Sequence, residues 1–244
     1  MKTINIPHPR RSLPLWLILT LGLLAGGAAY YLLQFRPAAG RTAAVIRWIR
    51  GTTKDTSQAI EALQRCPDAP FLLPTSGLVG YLWDDPFRPG HRHQGIDIFG
   101  GSQPGVTPVY AAADGYLTRQ SDWKASLIIR VPSDPLLPGR QIWLYYTHLA
   151  DKNGNSFISG DFPPGSFEIP VTAGQLLGYQ GNFSGNPANP VGVHLHFSIV
   201  LDDGSGHYLN ELKIQNTLDP SPYLGMQHNA KTAGAAIPVC STAP

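Results

Sequence analysis

Two textures divide the chain. Near the start the apolar residues form one block. From Ser12 to Phe35 there is no charge: Leu13-Pro-Leu-Trp-Leu-Ile-Leu-Thr-Leu-Gly-Leu-Leu-Ala25 leads on to Tyr30-Tyr-Leu-Leu-Gln-Phe35. About 23 such residues in a helix cover roughly 35 Å, enough to cross a bilayer. The run exceeds the usual length of a signal-peptide core, so residues 1–36 read as an uncleaved membrane anchor, with a cleaved signal peptide as the alternative. Trp16, Tyr30 and Tyr31 suit interfacial positions. Residues 37–66 read as a helical spacer: Ile46, Ile49, Ile60 and Leu63 recur at loosely helical spacing. Gly51-Thr-Thr-Lys-Asp-Thr breaks that spacer, with Thr56 or Ser57 as the next N-cap. Its basic face suits anionic headgroups or plain solvent.

From Cys66-Pro-Asp-Ala-Pro70 onward, short apolar runs alternate with Gly, Pro and Asp turns. The runs are Gly95–Phe99, Thr107–Ala112, Ser126–Val131, Gln141–Thr147, Gln175–Tyr179 and Val193–Val200. This pattern predicts an all-β domain over residues 67–225. An Ala/Gly/Pro-rich tail, residues 226–244, reads as loosely ordered.

Composition agrees with the pattern. Gly (26) and Pro (23) make up about a fifth of the 244 residues, and only 14% are charged. That excludes coiled coils, helical bundles and charged disordered chains. The net charge of +2 hides a split: residues 1–66 carry nine bases and two acids, while the remainder is acidic. An acidic main domain argues against a nucleic-acid partner. Lys2, Arg10 and Arg11 precede the apolar run, and Arg36, Arg41, Arg47 and Arg50 follow it, so counting charges leaves its orientation open. The two cysteines, Cys66 and Cys240, bracket the domain. They are either a disulfide or two free thiols.

Four of the eight histidines fall in suggestive places, one of them in His93-Gln-Gly-Ile-Asp97. There, extended backbone brings i and i+4 to one face. In Val193-His194-Leu-His196-Phe197 a strand turns both imidazoles to one side and Leu195 and Phe197 to the other. Tyr146-Thr-His148-Leu149 places a further histidine at a strand end. A catalytic zinc commonly takes three protein ligands and keeps one position open. His93, Asp97 and His196 supply that number, leaving His148 and His194 as unligated imidazoles. The chain lacks the His-Glu-x-x-His helix of other zinc peptidases.

In this order the motifs resemble the lysostaphin/LytM-type zinc endopeptidases, which cut the peptide part of peptidoglycan. The resemblance runs from about residue 75 to 201. It includes Pro108-Val-Tyr-Ala-Ala-Ala-Asp-Gly115, Val171-Thr-Ala-Gly-Gln-Leu-Leu-Gly178 and Gly181-Asn-Phe-Ser-Gly185. It implies antiparallel sheets forming a groove with one Zn²⁺ on its floor, held by His93, Asp97 and His196. It implies His148 and His194 as catalytic residues, and peptidoglycan peptides as substrate. The domain would then face the cell wall, held to the membrane by the N-terminal helix. A non-catalytic wall-binding or hydrolase-activating member of the same fold is the alternative. Three segments depart from the family pattern and are expected to wall the groove: Pro132–Gly139, Asp151–Glu168 and Asn186–Pro190.

Overall fold

The structure, a computed structural model, describes residues 14–52, 56–86 and 90–241. Lys2, Arg10, Arg11, Ser12, Leu13 and Lys54 of the sequence reading lie outside the described residues, as does the Arg36 side chain.

One helix, α1, runs from Leu15 to Ile49. It joins the apolar run to the first part of the spacer without a break, passing through Pro37 and Gly40. Its segment Leu15–Leu32 is unburied and long and apolar enough to cross a membrane. It ends where Gly51 takes φ 63°. The Thr52 N–H then reaches back to the Arg47 carbonyl at 3.0 Å, and the Gly51 N–H to Trp48. A glycine is suited to this left-handed turn just past a helix.

Apart from a 3₁₀ turn at Ile214–Asn216, the other regular elements among the described residues are strands. The strands are β1 (Ala59–Ile60), β2 (Gly77–Tyr81), β3 (Ile96–Phe99), β4 (Pro108–Tyr110), β5 (Gly115–Thr118) and β6 (Leu127–Val131). They continue with β7 (Ile142–Thr147), β8 (Ile169–Val171), β9 (Leu176–Tyr179), β10 (Leu195–Leu201) and β11 (Thr217–Leu218). Nine of them form one antiparallel sheet in the order β1-β2-β3-β10-β7-β6-β5-β8, with β11 also paired to β10. β4 and β9 make a second, two-stranded sheet.

Strand alternation decides which face does what. Ile96 and Ile98, Leu195, Phe197 and Ile199, Ile142, Leu144 and Tyr146, and Leu127 and Ile129 point into the main core with Val109 and Leu177 of the small sheet. The alternate residues, Asp97, His196, Thr147 and Tyr145, line a groove on the opposite face. The Tyr146 hydroxyl accepts the Ala112 N–H at 2.9 Å, tying two of the recognised motifs together inside the core.

Three expectations are corrected. Residues 57–66 are not helical: Ala59–Ile60 pairs with β2, the Leu63 N–H donates to the Leu73 carbonyl, and the Leu73 N–H donates to the Gln64 carbonyl. Ile60 is buried while Leu63 is 44% exposed. Sheet pairing therefore overrides a weak helical spacing. Residues 226–241 of the tail are also packed. Cys240 is joined to Cys66, Ala233 enters the main core, and Ile237 packs with Val45, Leu78 and Phe99. Finally, Arg41 of the spacer is neither solvated nor free to meet headgroups; it is fully buried.

Candidate metal centre and active site

Strand register assembles the centre. Asp97 on β3 and Thr147 on β7 lie directly opposite His196 on β10, one on each side. Directly paired residues of antiparallel strands have side chains about 5 Å apart, so one row across three strands brings the carboxylate and the imidazole together. His148 follows Thr147, with φ 71° turning it off the strand. His93 arrives from the loop before β3. Gly95 lets it do so: a Cβ there would sit 2.3 Å from the Phe197 carbonyl of β10. Gly181 plays a similar part beside His148, since its Cβ would lie 2.0 Å from the Ala150 carbonyl.

The atoms converge closely. His93 Nε2 lies 3.1 Å from Asp97 Oδ1 and 3.1 Å from His196 Nδ1, and His196 Nδ1 lies 2.8 Å from Asp97 Oδ1. The far nitrogens of both rings are already engaged. His93 Nδ1–H donates to the Leu82 carbonyl at 3.1 Å, and His196 Nε2–H donates to Glu211 Oε1 at 2.9 Å. The inward-facing nitrogens of the neutral rings therefore carry lone pairs. Two lone pairs and a carboxylate aimed at one another in a buried place make a candidate cation site. The spacing is slightly inside the roughly 3.3 Å edge between neighbouring ligands of a tetrahedral ion bound at 2.0–2.2 Å. The donor set, two imidazoles and one carboxylate, fits a zinc ion.

Electrostatics agree. Burial works to raise the Asp97 carboxyl, but His93, His194 and His196 outweigh it and hold it well below the usual range. Burial works against a charged His196; its bonds to Asp97 and Glu211 win and push it up to about 10. Burial would raise Glu211 too, yet His196 keeps it low and anionic.

The other two histidines are of the opposite kind. Burial and the neighbouring His194 and His196 push His148 down to about 3. Burial likewise lowers His194. Each Nδ1 lies 2.6 Å from a backbone carbonyl, Phe183 for His148 and Gly192 for His194. A carbonyl can only accept, so Nδ1 carries the proton and Nε2 keeps its lone pair. The rings lie 4.4 Å apart, and His194 Nε2 is 3.6 Å from Asp97 Oδ1. They form a neutral, proton-accepting pair beside a cation site.

All five candidate residues thus meet in one groove, of about 910 Å³. Glu211 was missed by the sequence reading. Its neighbours carry no motif, and only the fold brings it 2.9 Å from His196. The groove walls also differ from expectation. Thr42, Val45 and Ile46 of α1 form part of one wall, and Trp123, Lys124 and Phe183 contribute opposite. Pro132–Gly139 joins the ends of β6 and β7 remote from His148. Asp151–Glu168 pairs with β9 through Ile158 and buries Phe162 against the core. Neither of these segments lines the groove, and Asn186–Pro190 lies just beyond its lining residues Gly185 and Val191.

No protein-family model matches the sequence, and no curated protein does. Among solved structures, the chain is similar to a putative peptidase M23 from Pseudomonas aeruginosa, with 19% identity and a TM-score of 0.39 over 68% of this chain and 54% of that one. It is similar to lysostaphin, with 22% identity and a TM-score of 0.37 over 63% and 60%. It is also similar to a zinc containing peptidase from Vibrio cholerae, with 18% identity and a TM-score of 0.34 over 62% and 40%. The chain spans between 40% and 60% of the length of these three.

Proposed function

We propose that this chain is a zinc metalloendopeptidase of the lysostaphin/LytM type, hydrolysing peptide bonds in peptidoglycan stem or cross-bridge peptides. The observation that carries the proposal is the convergence of His93 Nε2, Asp97 Oδ1 and His196 Nδ1 within 3.1 Å, with two neutral imidazoles alongside. His93, Asp97 and His196 would hold the zinc, which supplies Lewis acidity to the scissile carbonyl and to the attacking water.

The remaining work falls to the neutral pair. His194 Nε2, 3.6 Å from Asp97 Oδ1, takes the proton of the attacking water as general base. The hydroxide oxygen bonds to the carbonyl carbon, the C–N bond breaks, and the departing amine takes a proton. His148 begins neutral, so its part as donor to the oxyanion or the leaving amine depends on first receiving the proton released by the water. The two ring centroids lie 4.4 Å apart. The Gly192 and Phe183 carbonyls fix both tautomers throughout.

The anchor reading rests on α1, whose Leu15–Leu32 segment is apolar and unburied. The disulfide favours an oxidising compartment. Together they support a membrane-anchored enzyme whose groove faces the cell wall.

The test uses the full chain in detergent micelles, with bound zinc and solubilisation of purified sacculi as readouts. His194→Ala is expected to retain zinc and lose activity by at least about a hundredfold. His196→Ala is expected to lose both. A wild-type protein that takes up no zinc, or an active His194→Ala protein, overturns the proposal.

A further inference from the structure

One charged cluster takes no part in the chemistry above. Arg41, near the C-terminal end of α1, is fully buried. Its Nη2 lies 2.6 Å from Asp85 Oδ2 and also bonds Oδ1. Its Nε donates to the Gly80 carbonyl at 3.2 Å, and its Nη1 donates to the Gly234 carbonyl of the tail. Burying such a pair costs several kcal/mol unless the bonding is complete, so stability alone is a weak reason for it to be there.

The partner of Arg41 leads directly to a metal ligand. Asp85 Oδ2 also accepts the Leu82 N–H at 2.7 Å, which shapes the 82–85 turn. That turn grips His93 at three points. The Leu82 carbonyl accepts its ring N–H at 3.1 Å, the Asp84 N–H donates to its carbonyl at 2.7 Å, and the Asp85 carbonyl accepts its N–H at 3.1 Å. A second line runs to the other side of the centre. Trp48 Nε1–H of α1 donates to the Phe99 carbonyl at 2.8 Å, and Val45 packs on Phe99. The Phe99 ring stacks on His194 at 4.9 Å between centroids.

We propose that the last turns of α1 position the metal centre. Arg41 acts on His93 through the 82–85 turn, and Trp48 acts on His194 through Phe99. The centre is complete only while the helix that carries the apolar span is docked against the sheet. Arg41 and Trp48 are positioning residues, since neither touches the ligand cluster. For its zinc readout the inference rests on the peptidase reading; for its structural readout it does not.

The experiment compares the full wild-type chain in micelles with Arg41→Lys, Arg41→Met and Leu117→Ala. Arg41→Lys keeps the charge and loses the two-pronged geometry. Leu117→Ala opens a cavity in the core at β5, away from the groove. Three quantities are measured: zinc affinity by chelator competition, exchange of the His93 amide by peptide mass spectrometry, and melting temperature. Arg41→Lys is expected to hold zinc at least about tenfold more weakly, in line with outer partners of metal ligands. Its His93 amide should exchange at least about tenfold faster. Leu117→Ala should melt lower with neither change. If Arg41→Met fails to fold, Arg41→Lys decides. Wild-type zinc affinity in Arg41→Lys overturns the positioning role, even if exchange is faster. Equal losses in Leu117→Ala also overturn it. If the wild type takes up no zinc, the peptidase reading fails, and the exchange comparison still decides whether Arg41 holds His93.

Discussion

At the scale of single residues, the site is a set of hydrogen bonds that leave lone pairs where they are needed. His93 and His196 spend their outer nitrogens on the Leu82 carbonyl and on Glu211. His148 and His194 spend theirs on the Phe183 and Gly192 carbonyls. Glu211 is the charged member of this set, so it is the one to probe. Glu211→Gln keeps the shape and removes the anion. Zinc affinity, measured against a chelator, is expected to fall by about 10- to 100-fold; an unchanged affinity would mean that Glu211 is a bystander. His148 gives a test on stability. In the folded state it stays neutral down to about pH 3, whereas an unfolded histidine takes its proton near 6.5. Between those values the unfolded chain binds more protons. The stability present at neutral pH is therefore lost as pH falls, by up to about 1.4 kcal/mol per unit from this residue. His148→Gln should narrow the gap between melting temperatures at pH 7.5 and pH 5. A gap as wide as that of the wild type would remove His148 as a source of acid sensitivity.

At the scale of elements, β10 is the organising strand. It pairs with β3 and β7 at once, and His196 faces Asp97 on one side and Thr147 on the other. Because side chains alternate, a slip of one residue would exchange His196 for Leu195 or Phe197. Gly95 protects that register. Gly95→Ala places a methyl 2.3 Å from the Phe197 carbonyl, so β3 must shift away from β10. The expected cost is about 1–3 kcal/mol or more in stability, with loss of zinc at temperatures where the protein is still folded. Calorimetry with zinc titration checks this, and full zinc occupancy in the folded variant would count against it. Much of this element was legible in the sequence, because His194-Leu-His196-Phe197 states its two faces by alternation. The strands with a weaker apolar pattern were not legible. Gly77–Tyr81 contains two glycines, Ile169–Val171 contains a proline, and Ala59–Ile60 is two residues long. Their strand character comes from the neighbour that each pairs with.

At the scale of the molecule, the fold joins what the sequence pattern divides. By pattern alone the anchor, the spacer and the tail are appendages of a β domain, because low charge and frequent glycine and proline describe composition and say nothing of docking. In the structure the spacer's Arg41 meets Asp85 of the domain and Gly234 of the tail, and Ile237 packs beside Val45. The roles of Glu211, Asp85 and Arg41 stay hidden in the sequence for a shared reason: each is a charged residue in an unremarkable stretch, and only the folded chain supplies its partner. The disulfide between Cys66 and Cys240 has a consequence of a different sort. It spans 174 positions, so His93, Asp97, His148, His194 and His196 all lie inside one covalent ring, and α1 lies outside it. A protease that nicks any loop within the ring leaves the two pieces covalently tied, whereas a single cut between Gly51 and Cys66 severs every covalent link between the intact ring and the helix.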